Sequence, residues 1–127
     1  MGKTAGQLTD QEKSQYREFA RVRDAAEESE MMARRERALA VARNASRILK
    51  ELFGVNHVTL FGSLATGSWF HVRSDVDLAV EGLRPADYWR ADCQLESIGD
   101  GFEIDLVDLR TAPPALVQAI RRDGREI

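Results

Sequence analysis

The chain has 127 residues and a net charge of −3, with 43% apolar and 31% charged residues. That is enough to bury one core, and the charge is too balanced to mark a nucleic-acid or membrane surface as its partner. The single cysteine, Cys93, excludes an internal disulfide and fits a reducing compartment. No apolar run approaches the ~18–20 residues of a membrane span, and the opening MGKTAGQLTDQEK lacks the apolar core of a secretory signal. A cytoplasmic globular protein is expected, with no membrane and no direct nucleic-acid binding.

Charge divides the chain near Gly54. Residues 1–53 hold 11 Lys+Arg against 9 Asp+Glu, a net +2, whereas residues 54–127 hold 7 against 12, a net −5. Thr9-Asp10-Gln11-Glu12 has the form of a capping box, in which the Thr9 hydroxyl caps the Glu12 amide. From Asp10 to Phe53 there is neither Gly nor Pro, and Ala, Glu and Arg dominate, a strongly helical composition that Gly54 ends. Val41, Ala45, Ile48, Leu49 and Leu52 follow the spacing of a face that docks on a core. The earlier part carries only the short stripe Tyr16, Phe19 and Val22 before the charged stretch Asp24 to Glu30. One straight helix over all of it would run ~65 Å at 1.5 Å per residue. Two helices joined near Glu28 to Met32 are therefore expected, with a partner or a second copy of the chain packing on the N-terminal stripe.

Beyond Gly54, shorter elements alternate. His57 to Phe61 reads as a strand ending at Gly62-Ser63, Leu64 to Gly67 as a helical turn, and Trp69 to Ser74 as a loop. Val76 to Val80 is a second strand, and Pro85 opens a helix to about Ser97. After the turn Gly99-Asp100-Gly101 comes a third strand, Phe102 to Leu109, and Pro113-Pro114 opens a last helix that Gly124 closes. The fold class is α/β (α+β): a small mixed β-sheet flanked by helices, residues 34–127, with an N-terminal helical extension, residues 1–33.

Three features carry chemistry. Gly62-Ser63 stands where a strand gives way to a helix, and there a glycine admits a ligand close to the backbone while free amides and the Ser63 hydroxyl can meet a phosphate. Taken alone, a Gly-Ser step after a strand is more often a plain turn. Asp75-Val76-Asp77 puts two carboxylates on one face of a strand; they are either hard oxygen ligands for a cation such as Mg²⁺ or a solvated strand edge. Asp105, among Ile104, Leu106 and Val107, reads as a lone carboxylate buried in an apolar strand, a costly arrangement unless it is paired or bound to metal. Beside the second strand it would complete a cluster of three acids, whereas Asp108 falls on the opposite face. Three carboxylates and a phosphate cradle point to metal-assisted phosphoryl or nucleotidyl transfer.

Leu60-Phe61-Gly62-Ser63, eleven residues, Asp75-Val76-Asp77-Leu78, then Ile104-Asp105-Leu106 resembles the nucleotidyltransferase superfamily of DNA polymerase β. More narrowly it is similar to the minimal nucleotidyltransferases, small stand-alone catalytic domains often paired with a HEPN-domain protein as a toxin–antitoxin system. The resemblance covers residues 34–127; many minimal members have one residue fewer between the serine and the first aspartate, a difference confined to the loop Trp69 to Arg73. It implies that Asp75 and Asp77 hold the metal carrying the triphosphate of ATP, and that both, with Asp105, hold a second Mg²⁺ serving the acceptor. Gly62 and Ser63 would bind the nucleotide phosphate. The implied reaction is transfer of AMP to a tyrosine hydroxyl of a partner HEPN toxin, making the chain an adenylylating antitoxin.

A non-catalytic antitoxin that neutralises its partner by complex formation is the competing reading; the three acids favour the enzyme. Small-molecule nucleotidyl transfer is a third. His71, Trp69 and Phe70 read as loop-packing residues, Arg73 as a phosphate contact or a solvated cation, and His57 and Cys93 have no partners for metal or nucleophilic work.

Overall fold

The computed structural model describes residues 8–67 and 76–127. Helix α1 spans Asp10–Phe53 without interruption, where a joined pair of helices was expected. The reason is local: no residue between Asp10 and Phe53 breaks a helix, and the Glu-rich and Ala-rich stretch before Met32 is itself made of good helix formers. The Glu12 amide donates to Thr9 Oγ1 at 3.1 Å, so the N-terminal cap forms. Gly54, at φ 66°, turns the chain out of the helix, and the Val55 amide returns to the Leu49 carbonyl at 3.2 Å.

The chain divides between Arg34 and Arg35 into two compact units. In the first, no described residue is buried, and Tyr16, Phe19 and Val22 lie open to solvent. In the second, α1 buries Ala38, Leu39, Val41, Ala42, Ala45, Ile48 and Leu49.

The second unit continues with β1 (His57–Phe61), α2 (Ser63–Thr66) and β2 (Val76–Glu81). A 3-10 turn at Pro85–Asp87 leads into α3 (Tyr88–Glu96), followed by β3 (Ile104–Asp108), α4 (Pro114–Asp123) and β4 (Arg125–Glu126). The sheet order is β3-β2-β1-β4, with β1 antiparallel to β2 and β4, and β2 parallel to β3. This is the mixed sheet flanked by helices that the sequence pattern predicts. The strand β4 is an addition: Arg125-Glu126 has no apolar alternation to announce it, and it exists because Thr59 and Leu60 offer it an edge.

Strand alternation separates the two faces of the sheet. Val58, Leu60, Val76, Leu78, Val80 and Leu106 are buried, forming the core face. On the opposite face lies α4: Ile120 is buried and the Arg121 guanidinium bridges to Glu81, the last residue of β2, at 2.9 Å. The row Phe61, Asp77 and Asp105 lies on that second face, beyond Thr59, Ala79 and Val107. Among the described residues no helix is long and apolar enough to cross a membrane.

Candidate functional site

Antiparallel pairing of β1 with β2 sets Phe61 opposite Asp77, and parallel pairing of β2 with β3 sets Asp77 beside Asp105. Neighbouring strands lie about 4.8 Å apart, so the two carboxylates leave the same face as immediate neighbours. Each is the second residue of its strand. The end of β1 is also here, so the turn at Gly62-Ser63 comes to the same margin of the sheet.

Gly62 holds φ 76° and ψ −158°, a backbone region that is essentially glycine-only. A Cβ at this position would collide with the Asp77 carboxylate. Two independent constraints thus demand glycine, and both keep the turn pressed against the acid. Ser63 begins the single turn α2, whose Ala65 and Thr66 amides return to the Gly62 carbonyl at 3.2 Å. Leu64 is fully buried and anchors the turn, leaving Ser63 part-exposed at the margin.

Of the predicted site residues, the fold brings together Gly62, Ser63, Asp77 and Asp105. Asp75 lies outside the described residues, as do Trp69, Phe70, His71 and Arg73. Among the described residues no group of three or more His, Cys, Asp or Glu side chains is arranged to hold a metal.

One expectation about Asp105 is corrected. The residue is exposed, not buried among Ile104, Leu106 and Val107. β3 is an edge strand, and α4 reaches the sheet face only further along; apolar neighbours in sequence do not bury a side chain that points the other way. What singles Asp105 out is therefore its juxtaposition with Asp77, not desolvation. Asp108, on the opposite face, accepts the Arg110 amide at 2.9 Å and pairs with its guanidinium at 3.0 Å, closing the turn after β3.

The sequence profile of the family described as Polymerase beta, Nucleotidyltransferase matches residues 43–127, which include every residue of the candidate site. The chain belongs to this family. Among solved structures, the nucleotidyltransferase is similar to a chain in a crystal structure of a toxin–antitoxin with AMP-PNP, at 30% identity and TM-score 0.57, over 67% of this chain and 70% of that one. It is similar to a chain in the toxin–antitoxin MntA-HepT, at 26% identity and TM-score 0.51, over 69% of each. A third is the complex of the tri-AMPylated HEPN toxin of Shewanella oneidensis with MNT antitoxin, at 26% identity and TM-score 0.53, over 70% of each chain. No curated protein matches the chain significantly.

Sequence reasoning missed one neighbour of the nucleotidyltransferase's acidic margin. Tyr88, at the start of α3, donates its hydroxyl to the Leu106 carbonyl at 2.7 Å, one residue beyond Asp105. Its phenol pKa is raised above 10, first by burial and then by the charges of Asp92, Asp105 and Asp108. A tyrosine three residues after a proline carries no sequence signal of that role; only the packing of α3 on β3 creates it.

Proposed function

We propose that this nucleotidyltransferase is an antitoxin that transfers AMP from ATP to a tyrosine hydroxyl of a partner HEPN toxin, with Mg²⁺ as its metal. The observation that carries the reading is the pairing of Asp77 with Asp105 across β2 and β3, with the Gly62 turn against Asp77. Support for the nucleotide and the partner comes from the similar chains, which belong to structures with AMP-PNP and with an AMPylated HEPN toxin.

The donor chemistry fits the metal. Mg²⁺ takes oxygen ligands, commonly one or two carboxylates together with substrate phosphates. Asp77 and Asp105 stand at paired positions on neighbouring strands, and the absent side chain at Gly62 makes room for the Asp77 carboxylate beside the turn. In the proposed arrangement Asp75 and Asp77 hold one ion, and both hold a second together with Asp105. Bound there, Mg²⁺ would offset the charge of the triphosphate and acidify the acceptor hydroxyl.

The chain's own residues have simpler tasks. Gly62 lets the phosphate approach the backbone, and the Ser63 hydroxyl and the amides at the start of α2 donate hydrogen bonds to it. The tyrosine oxygen forms a bond to the α-phosphorus as the bond to the β-phosphate oxygen breaks. Pyrophosphate leaves, and the tyrosine proton passes to solvent.

The test is incubation of the chain with ATP, Mg²⁺ and a HEPN partner, followed by intact-mass analysis. The expected result is a partner heavier by one or more adenylyl groups and inactive after the antitoxin is removed. A partner silenced only while bound, with unchanged mass, would overturn the catalytic reading and leave neutralisation by complex formation.

A further inference from the structure

The first unit of α1 presents an apolar face that nothing described in its own unit covers. Tyr16, Phe19 and Val22 are 69%, 67% and 59% exposed, on a helix with no buried residue before Arg34 among those described. They recur every three residues, so they lie along one side of the helix.

The charges around this stripe are arranged in blocks. Residues 13–23 contain Lys13, Arg17, Arg21 and Arg23 against Glu18, a net +3. Residues 24–30 contain Asp24, Glu27, Glu28 and Glu30 with no cation, a net −4. The ion pairs within the helix, Arg21 with Glu18 at 2.5 Å and Arg23 with Asp24 at 3.6 Å, are solvent-exposed and contribute little.

We infer that α1 pairs with α1 of a second copy of this chain, antiparallel, crossing near Val22 and Arg23. In that alignment the basic block of each copy faces the acidic block of the other. Phe19 comes opposite Ala26, and Tyr16 opposite Ser29, so large side chains of one helix meet small ones of its partner. A parallel, in-register alignment would set −4 against −4 and +3 against +3, which like-charge repulsion disfavours. The blocks thus specify both the occupant and its direction. The inference concerns the first unit and is independent of the reaction proposed above.

The test uses the full-length chain. Light scattering should give a dimer, and Phe19→Glu with Val22→Glu should weaken dimerisation at least tenfold while the thermal melt of the remainder is unchanged. A zero-length carbodiimide should join Lys13 to Glu30 or Glu28 in a species of twice the mass. Within one helix Lys13 and Glu30 are about 25 Å apart at 1.5 Å per residue, so that bond can only be intermolecular. Chains with the basic block reversed to Glu, or the acidic block reversed to Lys, should each be monomeric alone and should pair when mixed at low salt. A monomeric parent chain, a dimer that survives the Phe19 and Val22 substitutions, or cross-links of Lys13 to Glu12 or Glu18 of the other copy would overturn the proposal. So would substitutions that leave the mass unchanged but abolish binding of a different protein.

Discussion

Gly62 and Asp77 occupy one another's space: the carboxylate of Asp77 stands where a side chain at Gly62 would begin. The contact is made by the antiparallel pairing of β1 and β2, which brings the end of one strand over the start of the next. It couples the turn that would meet a phosphate to an acid that would meet a cation.

Gly62→Ala is expected to destabilise the fold by about 1–3 kcal/mol, from the glycine-only backbone conformation, and to push the Asp77 carboxylate aside. Denaturant melts and the adenylylation assay measure the two effects separately. An alanine variant that melts like the parent and keeps full transfer would show that the turn relaxes freely.

The acids should divide in function while sharing a tolerance for neutralisation. Asp77→Asn is expected to abolish transfer yet leave the apo fold intact or slightly more stable, because one of two neighbouring like charges is removed. Asp75→Asn should abolish transfer likewise. Asp105→Ala should keep ATP affinity within a few-fold and lose turnover, since its proposed ion serves the acceptor. Calorimetric titration with a non-hydrolysable ATP analogue, beside turnover and a circular dichroism melt, distinguishes these cases. Near-normal transfer by Asp77→Asn in Mg²⁺ would refute the metal reading.

Tyr88 links α3 to the acidic strand and should make the fold sensitive to alkali. Its folded pKa is raised above 10 by burial and by the nearby carboxylates. The neutral phenol therefore contributes stability that is complete below pH 10 and is lost as pH rises through the folded value. Tyr88→Phe should cost about 0.5–1.5 kcal/mol at neutral pH, for the hydrogen bond to Leu106, and should flatten the alkaline limb of the stability profile. Melts from pH 7 to 11 in the Tyr16→Phe background check both. An unaltered alkaline limb would show that other groups govern it.

Large apolar residues should differ sharply by position. Leu78, fully buried in β2, is expected to cost about 2–5 kcal/mol when cut to alanine. Trp89, 73% exposed on α3, should cost under about 0.5 kcal/mol. Equal losses at the two sites, measured by urea titration, would mean that Trp89 is covered in solution.

The alternation of elements after Gly54 was legible in the chain because each signal is local. Prolines open α3's turn and α4, positive-φ glycines end α1 and α2, and short apolar runs mark β1, β2 and β3. The motif that carries the family resemblance is local in the same sense: a glycine at a strand end, acids at alternating strand positions, fixed intervals between them. The helical character of α1 was equally plain, but not its continuity, since composition says which residues favour a helix and not whether a break is imposed from outside.

What the chain by itself did not decide are the relations between residues far apart in it. That Asp105 is exposed follows from β3 taking the sheet edge and from where α4 lies. That Asp77 stands between Phe61 and Asp105, with Gly62 against it, follows from two strand registers of opposite sense. That Arg125 and Glu126 form a strand at all follows from the free edge of β1. Backbone preference and periodicity act over a few residues and can be read along the sequence. Register and strand order are set by which buried faces fit together across the whole second unit, and only the folded chain makes that choice.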